Sequence, residues 1–152
     1  MKNLDLFRTC AILVVVSFVL HLAWEFSHYG LYTGYTAWSG NVPVYILATL
    51  GDVLYTLGAF ALVSAIKKTY DWMKDATVQD YFLLVTIGFL VSLFVEYKAL
   101  MFMKWQYLPE MPIIPILNVG LSPIMQMSLL LPLSVLLTHA VDKYLFSTYN
   151  KS

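Results

Sequence analysis

Charged and polar residues are bunched along this chain, and between the bunches run four long, mostly apolar stretches, at about 9–28, 44–66, 81–103 and 117–139. An α-helix needs about 20 such residues to cross about 30 Å of hydrocarbon at about 1.5 Å per residue. Each stretch meets that length. The pattern predicts an all-α integral membrane protein, a bundle of four transmembrane helices forming a single transmembrane domain over residues 1–152. Lys2 and Arg8 precede the first stretch as they would in a secretory signal. The length of the run and the lack of a small-residue cleavage site after it argue for a retained span.

Composition supports that reading: 60% of the 152 residues are apolar or aromatic and 12% are charged, against about 45–50% and about 25% in a soluble domain. The formal net charge is zero, and no basic stretch is dense enough to suggest a nucleic-acid partner. Cys10 is the single cysteine, which excludes a disulfide framework and a cysteine-based zinc site. Lys and Arg favour the cytoplasmic ends of spans. Lys2, Arg8, Lys67, Lys68, Lys74, Lys143 and Lys151 fall on one side, and Lys98 and Lys104 on the other. This bias predicts a multi-pass protein of the cell membrane with cytoplasmic N- and C-termini. The 67–80 loop is then inside, and the 29–43 and 104–116 loops are outside. The outer loops carry Tyr29, Tyr32, Tyr35, Trp38, Trp105 and Tyr107, as an interfacial aromatic belt would. Pro109, Pro112, Pro115 and Pro123 prevent the second of them from being one regular helix. It is expected to lie across the interface, covered by protein and ordered.

A charged group at the centre of a span costs about 2.5–3.5 kcal/mol even on insertion scales, so each one needs a partner or a purpose. His21, Glu25 and His28 lie at i, i+4 and i+7 of the first span, which stacks them on one helix face. Asp52 lies in the second span, Glu96 in the third and Gln126 in the fourth. Counted from the outer ends, Glu25 is roughly 5 Å deep, His21 and Glu96 roughly 10 Å, Asp52 roughly 12 Å and Gln126 roughly 13 Å. All four helices thus bring polar groups to the outer half, whereas the inner half has almost none. Lys98 is expected to snorkel to the interface or to neutralise Glu96 or Glu25. Met101, Met103, Met111, Met125 and Met127 read as gap-filling core more than as a soft-metal stripe. Ser17, Ser92 and Ser128 lack a Gly-x-Ser-x-Gly elbow, and His139 reads as interfacial.

Two chemistries fit this cluster. Glu25-x-x-His28 resembles the Glu-x-x-His element of di-metal carboxylate bundles, in which neighbouring helices add further carboxylates. That element occurs once here, whereas those bundles use it twice. The resemblance implies one Fe, Mn or Zn ion held by ligands drawn from His21, Glu25, His28, Asp52 and Glu96. In the other chemistry, an uncharged carboxyl gives a proton to a lipid-like ligand and a neighbour takes one back. His21-x-x-x-Glu25 together with Gly51-Asp52-Val53-Leu54-Tyr55 is similar to short motifs of the sterol isomerase (emopamil-binding) family, although the second motif belongs to a later helix there. The similarity is confined to those two motifs and implies an acid/base site.

The function expected from sequence is binding or conversion of a membrane-soluble small molecule in a pocket near the outer leaflet. His21, Glu25, Asp52 and Glu96 are the expected acid/base groups, and Trp24, Tyr55, Tyr97 and Gln126 the expected substrate-orienting groups. The alternative is a non-enzymatic small subunit or assembly factor of a larger membrane complex. A homo-oligomer is a further expected form of assembly, and ion translocation by four spans would require one. The lack of polar residues in the inner half argues against that last function.

Overall fold

A computed structural model describes residues 2–34 and 40–146, the side chains of 2–4 excepted. Tyr35, Trp38 and the start of the first outer loop's far half therefore lie outside the described residues. Four helices are long and apolar enough to cross a membrane, with mean hydropathies between 1.7 and 2.2. They are α1 (Lys2–His28), α2 (Val44–Lys67), α3 (Val78–Met101) and α4 (Leu121–Phe146).

Their ends differ from the apolar runs for local reasons. Helix α1 begins before residue 9 and α4 continues past 139, because Arg8 donates to Asp142 Oδ1 at 2.7 Å and stacks 4.3 Å over the Phe146 ring. Helix α3 starts early on a capping box, in which the Thr77 hydroxyl and the Asp80 carboxylate each bond the other's backbone N–H. It stops at Met101 because Met103 turns left-handed (φ 50°), letting the Lys104 N–H reach the Ala99 carbonyl at 2.8 Å. Helix α4 starts only at Leu121, since residues 113–120 form a hairpin whose turn uses Asn118 at φ 53°.

That hairpin, with antiparallel strands β3 (Ile113–Ile114) and β4 (Val119–Gly120), is one of two short strand pairs among the described residues, both absent from the sequence-based expectation. In the other, β1 (Tyr32–Thr33) after α1 pairs with β2 (Gln106–Tyr107) after α3, Tyr32 opposite Tyr107. The proline-rich loop is thus ordered by backbone pairing as well as by Met111, which is buried. Of the methionines expected to fill the core, Met111 and Met127 are buried, while Met101, Met103 and Met125 are exposed.

Helix α1 packs against α2 and α4, and α4 packs against α3. Consecutive α2 and α3 barely touch each other. The closest seam is α3 on α4: a Cβ built on Gly88 would lie 2.3 Å from the Met127 carbonyl oxygen, so glycine is required there. The apolar core, including Leu13, Phe60, Val63, Trp72, Leu84, Leu131 and Val135, fills the half of the bundle nearest the α2–α3 connection. At that end Trp72 is buried and donates to Ser64 Oγ at 3.0 Å, and Lys67 pairs with Asp80 at 2.6 Å. The other half of the bundle is where the polar side chains gather.

Candidate functional site

The helix spacing of α1 directs His21, Glu25 and His28 to the bundle interior, where His21 has no exposed surface and His28 is buried. Asp52 arrives from α2 and Gln126 from α4. The Gln126 amide joins them: Nε2 donates to Glu25 Oε1 at 2.9 Å and to Asp52 Oδ2 at 2.8 Å, and lies 3.3 Å from His21 Nδ1. The acids decide the amide's orientation, because its oxygen turned toward two carboxylates would offer them no hydrogen.

Each of these carboxylates has its own histidine. His21 Nδ1 is 3.4 Å from Asp52 Oδ2, and Thr56 Oγ1 is 3.4 Å from His21 Nε2. Thr56 gives its hydrogen to the Asp52 carbonyl at 2.8 Å, so its oxygen accepts from His21 Nε2–H. Both hydrogens of the Gln126 amide are taken by the two carboxylates, so His21 Nδ1 finds its partner in Asp52 Oδ2. On the other side, His28 Nε2 is 3.3 Å from Glu25 Oε2. Trp24 Nε1 donates to Ser122 Oγ at 3.3 Å, and Ser122 Oγ is 2.7 Å from His28 Nδ1. Among the described residues the Ser122 hydrogen has no acceptor but Nδ1, and a carboxylate stands at Nε2, so the tautomer that satisfies both has Ser122 donating to Nδ1 and the His28 proton on Nε2.

Four of these groups line a cavity of about 230 Å³, with His21, Thr56, Trp24 and Ser122 standing behind them. Glu25, His28, Asp52 and Gln126 line it, with Ala48, Gly51 and Tyr55 of α2, Val91, Ser92, Val95 and Glu96 of α3, and Tyr32 and Trp105 from the loops. Glu96 shares the cavity without bonding the other acids: its Oε2 accepts from Trp105 Nε1 at 3.3 Å and from the Tyr107 hydroxyl. Burial and the adjacent Glu96 carboxylate both hold the Tyr107 phenol above its ordinary pKa, so it remains a donor.

Of the expected site residues, His21, Glu25, Asp52 and Gln126 meet directly, while Glu96 and Tyr55 face the same cavity. Trp24 bonds Ser122 outside the cavity lining. Tyr97 points away, donating to the Leu117 carbonyl at 2.7 Å, and so secures the outer loop rather than a ligand. Lys98 is exposed and lies 5.9 Å from the Phe94 ring centre, pairing with neither Glu25 nor Glu96. Among the described residues, no three of His, Cys, Asp and Glu are placed to hold a metal ion. The geometry gives the reason: an amide NH₂ occupies the space between Glu25 and Asp52, and Glu96 is committed to two donors.

Sequence reasoning gave Ser122, Thr56 and Tyr107 no role in the site. Ser122 and Gln126 sit at i and i+4 on α4, a spacing that would have paired them. No protein-family model, curated protein or solved structure matches this chain.

Proposed function

We propose that the chain is a multi-pass protein of the cell membrane, its N-terminus cytoplasmic, that binds and converts a membrane-soluble small molecule by proton transfer in this cavity. The observation that carries the reading is a pair of His–carboxylate couples, His21/Asp52 and His28/Glu25, joined through Gln126 at the cavity wall. One couple gives a proton and the other takes one, so the molecule is rearranged with no net gain or loss of protons. Positioned acid/base groups of this kind contribute about 10²–10⁴-fold to a rate.

Gly51 offers a test that leaves every polar group in place, because it lines the cavity and a Cβ there meets nothing within 4 Å. Gly51→Phe is expected to fill the cavity, keep the fold and abolish retention of a small molecule that the wild-type protein is expected to carry through purification, read by mass spectrometry of solvent extracts. Equal retention by both proteins would place the ligand elsewhere, and no retained molecule in either would favour the subunit reading. Orientation is checked separately in a Cys10→Ala background. Cysteine at position 39 should react with an impermeant thiol reagent from outside and cysteine at position 75 should not, and the reverse pattern would invert the topology.

A further inference from the structure

The His28/Glu25 couple is incomplete. His28 lines the cavity, and its ring nitrogen Nε2 is buried and makes no hydrogen bond among the described residues, the 3.3 Å approach to Glu25 Oε2 being an ion-pair distance without one. A buried donor left in that state is costly, and it points to a missing acceptor. We propose that the cavity takes the hydroxyl head of a single-chain, membrane-soluble alcohol, whose chain leaves sideways into the bilayer between α2 and α3. The inference rests on the reading above and names its substrate class.

Three features select that head. His28 Nε2–H requires an acceptor and Glu25 accepts a donor, and one hydroxyl oxygen placed between them does both. An ammonium head has no lone pair for Nε2–H. A carboxylate or phosphate head would face Glu25, Asp52 and Glu96, and among the described residues lining the cavity none is Lys or Arg. The chain's route follows from size and packing. At about 230 Å³ the cavity is smaller than the about 300–1,000 Å³ that enclose a drug-sized molecule whole, so a lipid must extend out of it. Helices α1 and α4 pack together, whereas α2 and α3 both line the cavity and barely touch each other, which leaves that seam as the way out. Ala48 of α2 and Val91 and Val95 of α3 give the cavity apolar lining on those two helices.

The experiment uses the full chain in phosphatidylcholine vesicles and a hexadecanol carrying a photoreactive diazirine on its chain. Saturable labelling is expected at residues 51–55 and 91–95, with unlabelled hexadecanol competing at roughly ten-fold lower concentration than hexadecanoate or hexadecylamine. Ser122→Ala, which frees the His28 tautomer, is expected to erase most of that selectivity, and Ser122→Thr to restore it. Competition by the acid or the amine as effective as by the alcohol would overturn the head assignment while leaving the pocket standing. Saturable labelling confined to the outer faces of α1 and α4 would overturn the lateral route. No saturable labelling by the alcohol, nor by matched acid and amine labels, would sink the pocket reading as well.

Discussion

Replacing Gln126 by Leu is expected to cost more stability than any other single change in the bundle's polar half. The leucine keeps most of the volume, so the loss is of hydrogen bonds and not of packing. Glu25 Oε1 and Asp52 Oδ2 each lose their amide donor. A buried acceptor stripped of its partner costs about 1–3 kcal/mol, and more when it is charged. Two such acceptors in an otherwise apolar bundle amount to a large fraction of a typical domain's 5–15 kcal/mol. The measurement is the free energy of unfolding in mixed detergent micelles, wild type against Gln126→Leu. Adding Glu25→Gln and Asp52→Asn should recover part of the loss, because residues of one hydrogen-bonded network are not additive. A Leu variant as stable as wild type would mean that the amide bridges nothing.

Glu25→Gln is the change expected to have the largest effect on function. The substitution preserves size, and the new side chain still offers an oxygen to Gln126, so the protein should fold and insert. In the proposed chemistry it loses a proton acceptor: the position of Oε2 becomes an NH₂ directed at His28 Nε2–H, two donors facing one another. Under the proposed chemistry, conversion of the membrane-soluble substrate should fall by about 10²–10⁴-fold, the usual contribution of a placed acid/base group. The check is turnover in reconstituted vesicles beside a circular-dichroism melt of the same sample. Unchanged turnover in a folded Glu25→Gln protein would remove Glu25 from the chemistry.

The four spans were legible because membrane helices announce themselves by length and apolarity, which depend on no tertiary partner. Their ends were not, since Arg8 and Asp142 pair across 134 positions and Met103 turns left-handed although its residue type does not favour that region. The convergence of His21, Glu25, Asp52 and Gln126 could be reasoned out from cost: charged groups at one depth in four helices must find each other or face lipid. Depth alone does not give direction around a helix axis. This explains why Tyr97, one residue from Glu96, reads like a site residue yet turns outward to the Leu117 carbonyl. Ser122 and Thr56 were invisible for another reason: a hydroxyl in a span is cheap, commonly bonds its own helix, and gains a role only from what stands opposite.

The pairing of Lys67 with Asp80 has a mechanical side. It clips the end of α2 to the start of α3 just where Trp72 plugs the core, while further along the same two helices stand apart. They form the arms of a peg hinged at one end. Asp52 lies 15 residues from Lys67 along α2, an arm of about 22 Å. A tilt of about 5° at that end would displace α2 at Asp52 by about 2 Å, a leverage that the clipped end itself does not feel.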